Sequence, residues 1–324
     1  MADPRASTAP PGALGSVRPI LFGTTSYVVP AGLLPNARLL APHVDDIELV
    51  LFEGATSNLP SRSEVRELRR ISQDTGCGFT VHLPIDVGIG ELDPASRRRA
   101  QNSCLRTIEL TLPLEPHAFV IHAELPLRYH PALGDPPLPL SHLPPDEHRA
   151  WQNGLGESLG RLAAATGPSP LAVENLQFPF QWVEPLLRRH DLGVTLDVGH
   201  LLCHGGTVAQ HLSDFGERLT VVHLHGIRDG RDHCDIGAFP AEELRLMLQR
   251  FAAASKRPAW VGPATDTGAP APLVVSLEVF GWQPTWACLR TLAELFGTDE
   301  RGERLGRAAE VVAASGPLWV SEDP

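Results

Sequence analysis

Six apolar runs in this chain end in a side chain able to bind a metal ion: His82, His122, Glu174, Asp197 with His200 close behind, His223 with His225, and Glu278. Carboxylates and imidazoles together suit first-row divalent ions such as Mn²⁺ or Zn²⁺. In VTLDVGH, residues 194–200, Asp197 closes a strand-like run and His200 opens the next turn, so both can reach one ion. A carboxylate at the end of a buried strand needs a cation, an arginine or a dense set of hydrogen-bond donors to offset its desolvation; capping the following helix is the other role open to Asp197.

LAVEN at 171–175 repeats the pattern with Glu174, and VSLE at 275–278 repeats it with Glu278. Two glutamates on strands flanking an aspartate strand point to a shared divalent cation. His223 and His225 lie two apart, so strand alternation puts both on one face. The sequence leaves open which of them is the ligand. His82 and His122 end two earlier runs and suit a second metal position, a phosphate contact or a pocket lining.

Around these donors lie residues expected to touch substrate: Thr25 and Tyr27 past the first run, Glu53 at the end of the second, and Arg228, Arg231 and His233 on a glycine-containing segment. The two arginines are placed to hold an anionic group. Asp45, Asp46 and His117 precede or begin their strands, which assigns them to the opposite rim and to stability.

The elements that must carry these residues are regular. Short apolar or β-branched runs at 20–23, 47–52, 79–83, 118–122, 171–174, 194–196, 219–224 and 274–279 read as eight strands. Helical spacing fills 63–75, 96–110, 147–165, 183–189, 207–215, 241–254 and 285–295, with Ser61 or Ser63 as a cap and a glycine turn at 76–78. Alternating strands and helices imply right-handed parallel crossovers, and eight of them close into a (β/α)8 TIM barrel. Such a barrel gathers strand ends on one rim, so donors scattered along the chain converge. The first unit is the weakest, because 33–43 makes a poor helix.

Residues 1–17 read as a disordered lead-in, and 18–324 as a single barrel domain with an additional C-terminal helix at 303–314. Two connections are long. Residues 125–145 carry seven prolines and follow the fourth strand, where barrels keep substrate loops. Residues 255–272 precede the eighth strand and read as structural.

A formal charge of −11 offers no general basic field for nucleic acid. No apolar stretch reaches the roughly 20 residues of a membrane span, and no secretory signal is visible, so a cytoplasmic location is expected. The five cysteines form no CxxC pair and read as reduced thiols. Dinucleotide, P-loop and serine-hydrolase motifs are missing.

VEN at 173–175, LDVGH at 196–200, HLH at 223–225 and LEV at 277–279, with His82 and His122, resemble the xylose-isomerase-like barrels, which include sugar epimerases and endonuclease IV. The epimerase likeness implies one ion on Glu174, Asp197, His225 and Glu278. The endonuclease likeness adds His82, His122, His200 and His233 around further zinc ions. FGTTSYV at 22–28, the run 36–53, SNLPS at 57–61, FTVHLP at 79–84 and VENL at 173–176 more closely resemble the CbiR family of cobamide-remodelling phosphodiesterases. That resemblance implies a metal-dependent phosphodiesterase that hydrolyses the nucleotide loop of an adenosylcobamide for salvage. Glu174 or Glu278 would take the proton from water, and His82, His122, His200 and Arg231 would neutralise the phosphoryl charge. The alternative is a divalent-metal sugar isomerase or epimerase, with Glu174 and Glu278 moving protons on either side of a ketose.

Overall fold

The computed structural model describes residues 20–53, 58–126, 129, 143–167, 169–254 and 272–320. The expected lead-in, most of the proline-rich 125–145 segment and the connection at 255–271 lie outside the described residues. Eight parallel strands close into a barrel: β1 (Ile20–Thr25), β2 (Asp46–Val50), β3 (Gly78–His82), β4 (Phe119–His122), β5 (Leu171–Glu174), β6 (Gly193–Asp197), β7 (Leu219–Leu224) and β10 (Leu273–Leu277). Neighbours follow chain order, and β10 pairs with both β7 and β1 to complete the ring.

Strand alternation sorts the side chains into two shells. In β2, Ile47 and Leu49 face the main core between barrel and helices, and the alternate residues Asp46 and Glu48 turn into the lumen. Ala118, Val120, Val221 and Val274 form a small apolar cluster of their own that plugs the lumen. Further along the same inward rows come Glu48, Thr80, Thr195 and Ser276, all fully buried, and then the strand-end donors. The barrel interior thus grades from apolar to polar towards the site.

The helices form where their signals predict. In α2 (Arg62–Thr75) the Ser61 hydroxyl accepts the Glu64 N–H at 3.2 Å, and the Glu64 carboxylate accepts the Ser61 N–H at 2.8 Å. This reciprocal cap fixes the start. Gly76, at φ +78°, ends the helix in the left-handed conformation that lets its N–H reach the Ser72 carbonyl. Val65, Leu68 and Ile71 bury the inner stripe.

Three local features differ from the sequence reading. The doubtful first unit is a helix, α1 (Leu33–Leu40), because Pro35 falls in the first turn where no N–H is needed. Buried Asn36 then accepts the N–H groups of Val28 and Val29 and donates to carbonyls of Val29, Ala31 and Gly32. Asp197 caps an additional short helix, α6 (Val198–Cys203), by accepting the His200 N–H at 2.6 Å. The segment after His225 is an antiparallel hairpin, β8 (Gly226–Arg228) and β9 (Arg231–Cys234). Its Asp229-Gly230 turn has φ of +54° and +73°, the geometry that an Asp-Gly pair favours between strands. At the far end, α10 (Glu300–Val320) packs along α9 (Trp282–Phe296).

Candidate metal centre

The strand ends do converge. Glu174 from β5, Asp197 from β6, His223 from β7 and Glu278 just past β10 each offer a ligand atom, and these atoms lie within 4.8 Å of one another. All four side chains are buried. His223 Nδ1 sits 3.0 Å from Glu278 Oε2, 3.4 Å from Glu174 Oε2 and 3.8 Å from Asp197 Oδ2.

Two further groups share a carboxylate with this one, His82, His122 and Glu174, and His225, His233 and Glu278; a third, His200, Asp232 and His233, joins the latter through His233. Glu174 alone faces four imidazoles. Its Oε2 is 3.2 Å from His82 Nε2, 3.3 Å from His122 Nε2 and 3.4 Å from His223 Nδ1, and its Oε1 is 3.2 Å from His200 Nδ1. The shared carboxylates allow the centre to accept more than one ion.

Several imidazoles are held as metal-ligating histidines are, with one ring nitrogen anchored and the other turned inward. His82 Nδ1 donates to the Leu83 carbonyl at 2.9 Å, and His233 Nδ1 to the Glu278 carbonyl at 3.0 Å. The hairpin that carries His233 bends there at φ +51°, and its N–H donates to His225 Nδ1 at 2.8 Å. His225 Nε2 in turn meets both oxygens of Asp197. Asp197 is oriented a second time by Asn175, whose side chain accepts the Asp197 N–H and donates to its carbonyl.

The donor set fits a cation. Glu174 Oε1, Glu278 Oε2, His200 Nδ1 and His223 Nδ1 are buried and have no hydrogen-bond partner among the described residues, although they face one another. Buried polar atoms left in this way are strongly disfavoured unless something bridges them. Protonation shows the same demand. Burial opposes charge on His122 and His200, yet Glu174, Glu124 and Asp197 raise them to about 10 and about 9. Burial also opposes ionisation of Glu174 and Asp197, but the surrounding imidazoles hold both well below the usual carboxylate range. The clusters are therefore positioned to chelate a divalent ion such as Mn²⁺ or Zn²⁺, and loading one displaces protons.

The remaining predicted site residues stand further out. Thr25 donates to the Val279 carbonyl at 3.1 Å, and the Tyr27 hydroxyl accepts from Asn58 at 2.8 Å. Glu53 pairs with Arg106 on the side of α3 (Pro94–Thr111), and Arg228 pairs with Asp235 at 3.3 Å. Arg231 is exposed on the hairpin, with no ion-pair partner among the described residues. Asp46 bonds His117 at 2.7 Å and Asp45 pairs with Arg304, so both acids serve the opposite rim.

Two residues escaped the sequence reading. Glu48 lies mid-strand, one turn of the alternation below the donors, and bonds His223 Nε2 at 3.0 Å. Phe280 is 44% exposed beside the centre, with its ring 5.1 Å from that of His233 and 6.4 Å from that of Tyr27. The inward parity of β2 was available as a signal for Glu48; nothing in the sequence marked Phe280.

A closed parallel α/β barrel with carboxylates and imidazoles gathered at the C-terminal ends of its strands defines a metal-binding TIM-barrel protein. The chain belongs to the xylose isomerase-like TIM barrel family, whose pattern matches residues 44–253. No curated protein sequence matches it. Among solved structures, a D-tagatose 3-epimerase-like protein is 18% identical, with a TM-score of 0.59, covering 91% of this chain and 99% of its own. The 3-keto-D-glucoside 4-epimerase of E. coli is 17% identical, with a TM-score of 0.62 and coverage of 85% and 98%. Endonuclease IV of Thermus thermophilus is 16% identical, with a TM-score of 0.54 and the same coverage.

These findings correct the expectation of a cobamide phosphodiesterase. Structures similar to it include sugar epimerases, among them enzymes named for L-ribulose, D-allulose and D-psicose, and an endonuclease, which favour a sugar over a cobamide. Adenosylcobamide as the substrate, and cobamide salvage as the role, lose their support. Among the described residues no helix is long and apolar enough to cross a membrane.

Proposed function

We propose that the protein is a divalent-metal-dependent epimerase of a keto-sugar. The observation that carries this reading is the placement of Glu174 and Glu278. Their strands are separated in the barrel by β6 and β7, yet both carboxylates reach the same point, each within 3.4 Å of His223 Nδ1. Epimerisation next to a carbonyl needs two groups that can exchange a proton with carbon from opposite faces, and a pair of carboxylates on facing sides of one site provides them.

Glu174, Asp197, His223 and Glu278 would hold the ion, which when bound polarises the ketone and its neighbouring hydroxyl and so acidifies the carbon between them. One glutamate takes the proton from that carbon, and the other returns a proton to the opposite face. Asp197, pinned by Asn175 and His225, keeps its place while the glutamates change protonation. His122, His223 and His200 lower the proton affinity of Glu174, and His82 lies beside it. Phe280 and Tyr27 offer aromatic faces at the mouth against which a sugar ring can stack.

The test is isotope exchange. Purified protein loaded with Mn²⁺ or Co²⁺ is incubated in D₂O with D-tagatose, L-ribulose and D-allulose, the sugars named for the similar structures. Proton NMR should show the C3 epimer appearing with one deuterium at the inverted carbon. A metal-loaded protein that exchanges no carbon-bound proton in any ketose would reject the proposal.

A further inference from the structure

Glu48 is a carboxylate in the middle of a strand, fully buried in the barrel lumen, and no strand-end pattern singles it out. Its Oε1 lies 3.0 Å from Nε2 of His223. The other nitrogen of that ring, Nδ1, faces Glu278, Glu174 and Asp197. A neutral imidazole carries one N–H, and a carboxylate oxygen is an acceptor, so a proton on Nε2 directed at Glu48 leaves Nδ1 as a lone pair aimed at the three other donors.

We propose that Glu48 is a positioning residue, which fixes the tautomer and ring orientation of His223 so that Nδ1 serves as a metal ligand. The inference rests on the metal-centre reading above. Stability alone does not account for this side chain. Its second oxygen, Oε2, is buried and makes no well-formed hydrogen bond among the described residues, Ser276 being the other polar group beside the carboxylate, and a buried carboxylate left half satisfied disfavours folding. At the same register the adjoining strands β1 and β3 carry the uncharged Thr25 and Thr80, so the barrel does not call for a charge at this depth. His82 and His233 are anchored by main-chain carbonyls, whereas His223 is anchored by a whole carboxylate. That anchor makes the ring a stronger donor to a cation, as carboxylate–histidine–metal arrangements do.

The experiment measures Co²⁺ affinity and visible absorption of the full chain, with no sugar present. Glu48→Leu, which ends the hydrogen bond, should weaken Co²⁺ binding about 10- to 100-fold and change the absorption bands. Glu48→Gln, whose carbonyl can still accept from Nε2, should lose only about 10-fold. In a His223→Gln background, adding Glu48→Leu should bring no further loss, because its effect passes through the ring. Circular dichroism confirms folding, and if the leucine variant fails to fold, the glutamine variant carries the same comparison. Folded variants that keep wild-type affinity and spectrum, or a loss of equal size with and without His223, would overturn the inference. A wild-type protein that binds no Co²⁺ rejects the metal centre itself, which is a separate result.

Discussion

His225 Nε2 lies 3.0 and 3.1 Å from the two oxygens of Asp197, and its Nδ1 accepts the backbone N–H of His233 at 2.8 Å. With Nδ1 acting as an acceptor, a neutral His225 carries its proton on Nε2 and donates it to Asp197. His223 is turned the other way, with Nε2 on Glu48 and Nδ1 towards the carboxylates. In the proposed centre the two histidines of one strand end would divide the work, His223 supplying the ligand and His225 aiming Asp197. His223→Gln should weaken Co²⁺ binding by more than about 100-fold while leaving it measurable, whereas His225→Gln should weaken it by roughly 10- to 100-fold. Isothermal titration with Co²⁺ separates them, and a reversed ranking would exchange the two roles.

Glu174 and Glu278 bear the proton transfers in the proposed reaction. Replacing either with Gln keeps an oxygen near the ion but leaves no carboxylate to take a proton. Loss of one acid–base group lowers turnover by about 10²- to 10⁴-fold. Glu278→Gln should bring kcat down by that order with KM nearly unchanged, and solvent deuterium should enter that carbon only from the face that Glu174 serves, without inversion. Both variants should weaken metal binding, Glu174→Gln the more, since four imidazoles also converge on that carboxylate. Single-turnover NMR on both variants gives the comparison.

The barrel and its ring of donors were legible because strand ends mark themselves: an apolar run that stops at Glu174 or Asp197 has a periodicity and an anomaly together. Direction was legible too, since a parallel barrel sends all such ends to one rim. Glu48 was not, because it interrupts an apolar strand at its centre, and only the closed lumen shows that its inward row passes beneath His223. The Asp229-Gly230 turn was visible as a dipeptide, but three- and four-residue strands are too short to show alternation. The helix after Asp197 was legible only as a capping role open to that residue, for a similar reason: six residues owe their helicity to the cap and to tertiary packing rather than to propensity. The substrate class was not legible: of the stretches that carry the cobamide-enzyme likeness, 22–28 and 36–53 run through β1, α1 and β2 and build the barrel wall, while 79–84 and 173–176 carry the donors His82 and Glu174, which do not distinguish one substrate from another.

Phe280 follows the strand that leads to Glu278 and stands 44% exposed, an unusual setting for a phenylalanine beside a charged centre. Its ring contacts His233 on one side and Tyr27 on the other. Gly281, at φ +95°, turns the chain directly after it, and its N–H is tied to the Tyr27 carbonyl at 2.8 Å. The ring is therefore held in place at the mouth. Phe280→Ala should raise KM for the ketose about 10-fold, the equivalent of ~1.4 kcal/mol, with kcat changed little. Steady-state kinetics decide this, and a fall in kcat at constant KM would instead give Phe280 a role in the chemical step.

His211, on α7 (Val208–Phe215), tests the fold away from the metal centre. It is 5% exposed and wedged between the rings of Phe180 and Phe215, at 5.3 and 5.1 Å. Burial lowers its pKa to about 4 against the opposing charge of Asp214. The folded protein therefore keeps this imidazole neutral at pH values where the unfolded chain, with an ordinary value near 6.5, is already protonated. The unfolded state binds the extra proton, so stability falls as pH drops from about 6.5 to about 4 and falls no further below that. The lost stability amounts to roughly 3 kcal/mol. His211→Phe removes the group and preserves the aromatic packing. Urea melts of both proteins should give a stability difference that is flat above about pH 7 and grows in favour of the variant down to about pH 4. A difference independent of pH would mean that His211 titrates normally in the fold.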